Sequence, residues 1–182
     1  MDTYTLNVAG LTRELPLCRL NEGTRIAGFV MFSDVELTVE CAKALEKLFP
    51  DYDLILTAES KGIPLAYELS RRSGKNYIVA RKKIKVYMTD PIYADVQSIT
   101  TKGMQRLYLS QEDVQMMQGR RILIVDDVIS TGESLRALEA LTERAGGIIA
   151  AKAAVLAEGD ACKRDDIIFL EELPLFFDKQ AD

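Results

Sequence analysis

The sequence predicts an α/β fold in which a parallel sheet carries helices on both faces, and three observations predict it. Apolar runs alternate along the chain with segments of helical spacing. Those runs are unbroken rather than alternately polar and apolar, as expected of strands buried on both faces. The chain has 182 residues, 48% of them apolar, which is the size and composition of one domain with one core. No internal repeat, low-complexity tract or Pro/Gly-rich linker interrupts it, so residues 1–182 are expected to form a single domain.

Four segments, Asp53-Leu54-Ile55-Leu56-Thr57-Ala58, Tyr77-Ile78-Val79-Ala80, Ile122-Leu123-Ile124-Val125 and the stretch from Ile148-Ile149 to Val155-Leu156, read as buried strands. Between them, Glu36 to Phe49 places Val39, Ala42 and Leu45 at helical spacing, and Ile63 to Arg71 does the same with Ile63, Ala66 and Tyr67. Leu135, Leu138 and Leu141 mark a third helix, closed by Gly146-Gly147. Ligands of open parallel sheets bind beyond the carboxyl ends of the strands, which directs attention to the residues just after Ala58, Ala80 and Val125.

Composition excludes several chemistries. Histidine is absent, which removes Ser-His-Asp and Cys-His catalysis and histidine metal sites, and leaves acid-base work to carboxylates, lysine or tyrosine. Cys18, Cys41 and Cys162 are odd in number and far apart, so neither a disulfide framework nor a zinc site is expected, and no protein metal ligands are assigned. The net charge is −5, and no basic tract exceeds Arg81-Lys82-Lys83, so a nucleic-acid partner is not expected. No basic start precedes an apolar run, and no 18 consecutive apolar residues occur. A soluble chain working in a reducing cytoplasm, without a membrane partner, is the expectation.

The strongest signal is Ile122-Leu123-Ile124-Val125-Asp126-Asp127-Val128-Ile129-Ser130-Thr131-Gly132-Glu133-Ser134, a buried strand, two acids, a hydroxylated turn and a helix start. The free N–H groups and positive dipole end of such a helix suit a phosphate, and Ser130, Thr131 and Ser134 add hydroxyl donors. Gly132 lets the backbone close around the anion. Asp126 and Asp127 would repel a phosphate, so they suit sugar hydroxyls or a hydrated cation. A phosphorylated sugar satisfies both halves. A strand-end acid or a helix-capping hydroxyl is common alone; thirteen residues in this order are specific.

This run resembles the phosphoribosyl pyrophosphate motif of the type I phosphoribosyltransferases, and the resemblance extends over nearly the whole chain. Ala58-Glu59-Ser60-Lys61-Gly62 looks like the pyrophosphate loop of the purine branch, where a cis non-proline peptide often turns backbone N–H groups to the ligand. Arg81, Lys82 and Lys85 resemble the basic segment that leads into a mobile flap, here about residues 87–105. At Ser98-Ile99-Thr100-Thr101 the chain lacks the flap glutamate of the adenine enzymes, and there it looks more like the xanthine enzymes. Glu133 also departs from the Gly or Lys common after Thr-Gly. Gly28-Phe29-Val30-Met31-Phe32-Ser33-Asp34-Val35 resembles the adenine enzymes' base-binding hood segment, with Phe32 the stacking residue and the Met31 carbonyl and Ser33 N–H facing the base edge. The hood would comprise about residues 1–35 and 157–182.

The resemblance implies transfer of ribose 5-phosphate from phosphoribosyl pyrophosphate to a purine. Adenine is favoured because a 6-oxopurine would reverse the donor-acceptor pattern at Met31 and Ser33. Xanthine or another 6-oxopurine is the alternative base, and a non-catalytic sensor of phosphoribosyl pyrophosphate is the alternative function. The residues before the segment from Gly28 to Val35 are too few and not basic enough for the DNA-binding extension such a sensor is expected to need. No Gly-x-Gly-x-x-Gly supports a dinucleotide-binding oxidoreductase. The resemblance further implies Mg2+ brought in with phosphoribosyl pyrophosphate, Asp126 and Asp127 as catalytic residues orienting the ribose, Ser130 to Ser134 on the 5'-phosphate, Ala58 to Gly62 with Arg81, Lys82 and Lys85 on pyrophosphate, and a homodimer.

Overall fold

The structure, a computed structural model, describes residues 2–97 and 104–177. The chain opens with three strands, β1 (Thr3–Val8), β2 (Leu11–Asn21) and β3 (Thr24–Ala27), followed by helix α1 (Val35–Glu46). Then come β4 (Leu54–Ala58), α2 (Ile63–Ser73), β5 (Tyr77–Ala80), a hairpin of β6 (Ile92–Gln97) and β7 (Met104–Leu109), and the short α3 (Gln111–Met117). β8 (Arg121–Ile129), α4 (Glu133–Arg144) and β9 (Ile148–Glu158) lead through a 3-10 turn at Gly159–Lys163 to β10 (Ile168–Leu173) and β11 (Leu175–Phe177).

The central sheet has the order β10-β9-β8-β4-β5, and every pair in it is parallel. The expected α/β architecture, a parallel sheet flanked by helices, is therefore the observed one. Period-2 alternation divides its side chains between two cores. Leu54, Leu56, Ile122 and Ile124 join the cluster that includes Leu135, Leu138 and Leu141 of α4 and Leu107 and Leu109 of the hairpin. Ile55, Leu123 and Val125 join the opposite cluster with Leu37, Cys41 and Leu45 of α1 and Leu65 and Leu69 of α2. Leu6, Val8 and Leu15 extend that second core into an antiparallel sheet of order β1-β2-β3-β11.

Local chemistry sets the helix starts. The Asp34 carboxylate accepts from the Leu37 N–H at 3.0 Å and caps α1, and Arg13 on β2 holds the same carboxylate at 2.7 Å. α2 begins at Gly62 with Pro64 in its first turn, where a missing N–H costs nothing. α4 begins after Gly132, whose φ of 77° lies in the left-handed region.

The structure departs from the sequence expectations at three places, each set by side-chain patterning. β8 does not stop at Val125: it pairs with β9 through Ile129, so Asp126 and Asp127 lie within the strand and point to opposite faces. The stretch after Tyr87, whose periodicity fades in sequence, contains the hairpin, in which Ala94, Val96, Leu107 and Leu109 turn inward. The helix α3 is fixed by a capping box, with Ser110 and Asp113 each accepting from the other's N–H. Among the described residues no helix is long and apolar enough to cross a membrane.

Candidate functional site

The carboxyl ends of β4, β5 and β8 and the β6/β7 hairpin enclose a cleft of about 220 Å³. Its walls bring together Ala58, Glu59, Ser60 and Lys61 from the loop after β4, Lys82 after β5, and Asp126 and Asp127 on β8. A smaller hollow adjoins it, built by Ser130, Thr131, Gly132 and Glu133 at the start of α4. Asp126, Val128 and Ser134 line both. The two loops and the acid pair named from sequence are thus parts of one continuous surface.

The loop after β4 is built for close approach. The Glu59–Ser60 peptide is cis. A Cβ on Gly62 would stand 2.5 Å from Thr57 Oγ1, 2.9 Å from Asp126 Oδ1 and 3.1 Å from the Asp126 Cα, so only glycine lets α2 start this close to β8. Glu59 turns to the basic segment: it accepts from the Lys82 N–H at 2.9 Å and pairs with Arg81 at 3.3 Å. The Lys82 N–H, aided by the charges of Arg81, Lys85 and Lys82, holds the Glu59 carboxyl below its ordinary value.

At the floor of the cleft, Asp127 is buried and Asp126 half-buried. Lys61 Nζ stands 3.6 Å from Asp127 Oδ2, too far for a hydrogen bond, and that oxygen has no hydrogen-bond partner among the described residues. Asp126 Oδ1 accepts from the Asp127 N–H at 2.9 Å. Desolvation, then the neighbouring Asp127 charge, push the Asp126 carboxyl well above the ordinary carboxylate range. Glu158, at the end of β9, is likewise pushed up by burial, with the charge of Lys61 opposing. Among the described residues no three metal-ligating side chains gather into a cage. An orphaned carboxylate oxygen beside a half-buried acid nevertheless fits hydrated contact with a magnesium ion carried by a diphosphate, since magnesium keeps several of its waters.

The carboxyl edge of the parallel sheet thus carries two short loops, each leading into a helix, beside two adjacent acids. A model of the phosphoribosyl transferase domain matches residues 36–173. The chain belongs to the phosphoribosyl transferase family.

Relatives in that family carry different names. The hypoxanthine/guanine phosphoribosyltransferase of Methanococcus voltae is 31% identical over 133 residues, covering 73% of this chain and 67% of that one. The xanthine phosphoribosyltransferase of Bacillus thuringiensis is 32% identical over 142 residues, covering 72% and 71%. The adenine phosphoribosyltransferase of Thermotoga petrophila is 35% identical over 98 residues, 53% of this chain, and this chain spans only about half, 54%, of that relative's length. Among solved structures, adenine phosphoribosyltransferase from Thermoanaerobacter pseudethanolicus superposes with a TM-score of 0.73 at 21% identity, covering 87% of this chain and 95% of the other. The Giardia lamblia enzyme complexed with 9-deazaadenine gives 0.62 at 17% identity, with 93% of each chain covered. At these identities the likeness is one of fold.

Within this phosphoribosyl transferase fold, not every residue named from sequence reaches the cleft. Arg81 is bound to Glu59, and its backbone bridges to Tyr108. Lys83 opens into a neighbouring groove beside Tyr108, whereas Lys85 lies in a turn closed by the Met88 N–H on its carbonyl. The base-binding candidates lie elsewhere. Met31 is buried, and its carbonyl already accepts from the Asp34 N–H at 3.2 Å. Phe32 is 47% exposed, and with Ser33, at φ 67°, it lines a separate hollow with Arg13 and Asp34. The flap stretch Ser98-Ile99-Thr100-Thr101 and residues 178–182 of the hood lie outside the described residues.

Other contributors are not evident from sequence. Arg106 on β7 lines the cleft while pairing with Asp95 at 2.8 Å and stacking 4.3 Å over Tyr93. Arg136 and Arg164 both reach the loop at Gly132. The alternation of the hairpin is a usable signal for Arg106; nothing local in sequence links Arg164 to Gly132.

Proposed function

We propose that this chain transfers ribose 5-phosphate from phosphoribosyl pyrophosphate to a purine, with adenine the preferred base. The observation that carries the proposal is the adjoining of two hollows, one walled by Lys61, Lys82 and Arg106 and the other by Ser130 to Ser134, with Asp126 lining both. A diphosphate and a 5'-phosphate on one ribose require two such anion sites with a sugar between them.

In this scheme the N–H groups and hydroxyls of Ser130 to Ser134 hold the 5'-phosphate, and Ala58 to Gly62 with Lys82 hold the diphosphate. Asp126 and Asp127 accept from the ribose hydroxyls and orient the sugar between the two anion sites. The bond from the anomeric carbon to the diphosphate oxygen breaks with both electrons leaving on the diphosphate, and a purine ring nitrogen donates its lone pair to the same carbon. Lys61, Lys82 and Arg106 receive the departing charge. Magnesium bound with the diphosphate supplies further charge neutralisation there.

The preference for adenine rests on the likeness of residues 28–35 to the adenine enzymes, with Phe32 supplying the exposed ring face of a hood that includes the amino-terminal sheet. A 6-oxopurine is the competing base, because relatives matched over about 70% of the chain are named for xanthine and for hypoxanthine and guanine. Thermal unfolding with and without ligand tests the substrate assignment. Phosphoribosyl pyrophosphate with magnesium should raise the melting temperature by several degrees, and nicotinamide dinucleotides should not. A shift with the dinucleotides alone would overturn it.

A further inference from the structure

Glu133 is the acid within the phosphate loop, at the first residue of α4, where an anionic side chain opposes an anionic ligand. The structure pairs it. Arg136, one turn along α4, donates from Nη2 to Glu133 Oε1, and the same nitrogen lies 3.4 Å from the Thr131 carbonyl oxygen. The Arg136 N–H also donates to the Gly132 carbonyl at 2.9 Å. The Arg136 side chain therefore ties two of the five loop residues, Thr131 and Glu133, and the Gly132 contact is the ordinary backbone bond of the helix. Arg164, whose Nε and Nη2 grip Asp166, places Nη1 2.8 Å from where a Cβ on Gly132 would stand.

We propose that Arg136 is a positioning residue for the phosphate subsite: it neutralises Glu133 and fixes the Thr131 carbonyl, so that the N–H end of α4 keeps the positive potential a phosphate needs. This rests on the assignment of Ser130 to Ser134 to the 5'-phosphate. The Arg136 side chain is 57% exposed, and exposed pairs three residues apart on a helix add little to stability. Its effect belongs in ligand affinity rather than in folding.

The test is titration calorimetry with ribose 5-phosphate, which presents the phosphate without the diphosphate. Arg136→Ala should weaken binding about tenfold at low salt, and the deficit should shrink as ionic strength rises to about 0.5 M. Adding Glu133→Gln to Arg136→Ala should restore the dissociation constant to within about threefold of the parent, because the unpaired acid is gone. Arg136→Lys should fall between the two. Arg136→Gln, which retains more of the stem, is read in the same way should the alanine variant fold poorly. Unchanged affinity in Arg136→Ala and Arg136→Gln, or a double variant as impaired as the single, overturns the role of Arg136. Gly132→Val separates the two levels. If it too leaves ribose 5-phosphate binding unchanged, the phosphate site is elsewhere; if it weakens binding while the Arg136 variants do not, only Arg136 is misassigned.

Discussion

Lys61 Nζ and Asp127 Oδ2, 3.6 Å apart, join the loop after β4 to the acid pair of β8 across the cleft floor. Asp127 is buried, Lys61 is half exposed, and the carboxylate oxygen between them has no hydrogen bond among the described residues. Polar atoms left in this condition are costly to the fold, and such sites persist where a ligand completes them.

The acid pair should therefore matter to turnover and little to the fold. Replacing both, Asp126→Asn with Asp127→Asn, is expected to lower turnover by at least about a hundredfold while the melting temperature stays within a few degrees of the parent. Near-normal turnover by a folded double variant would remove the acids from the mechanism.

Asp126 also sets a pH dependence. Its carboxyl is raised in the folded chain above the ordinary 3.8 by desolvation and by Asp127, so the folded state binds that proton more tightly than the unfolded state. Stability associated with the protonated form is fully present below the unfolded value and is lost as pH rises through the folded one. Asp126→Asn escapes the loss. It should melt higher than the parent at pH 8, and the difference should vanish below about pH 4. Melting curves at the two pH values decide; an equal or lower melting temperature at pH 8 contradicts the assignment.

Gly132 has a φ of 77° and the Arg164 guanidinium 2.8 Å from its missing Cβ. Gly132→Val forces a β-branched residue into the left-handed region and against that guanidinium. Affinity for phosphoribosyl pyrophosphate should fall about tenfold or more by calorimetry, and an unchanged constant would place the phosphate elsewhere.

Phe32 tests the hood. With 47% of its surface exposed, it contributes less to the core than Phe29, which is buried. Phe32→Ala should raise the KM for the base several-fold, with a smaller effect on kcat and little loss of stability. A KM that does not move would mean that the hollow shared by Phe32 and Arg13 serves another purpose.

The parallel sheet is legible in sequence because its strands are short unbroken apolar runs and its helices carry regular apolar spacing. The site loops are legible for the same reason, since each comes directly after such a strand. β8 reads too short because Asp126-Asp127 look like a strand end; pairing with β9 carries the strand four residues further, through Val128 and Ile129. The hairpin is hidden because Asp90-Pro91 and Gly103 suggest a loop, although Ala94 and Val96 alternate with Tyr93 and Asp95 as a strand requires. Arg136 can be paired with Glu133 once the helix start is known, at a spacing of three. Arg164 cannot, because it reaches Gly132 only after β9 and the turn at Gly159–Lys163 have brought the chain back over the loop.

The most direct measurement is initial-rate pyrophosphate release by purified protein given phosphoribosyl pyrophosphate and magnesium, with adenine, xanthine, hypoxanthine and guanine assayed side by side. Base-dependent release is expected, with the highest kcat/KM for adenine, by about tenfold or more over each 6-oxopurine. Faster turnover with xanthine would contradict the hood argument for adenine, and no release with any of the four bases would contradict the assignment of this cleft to purine phosphoribosyl transfer.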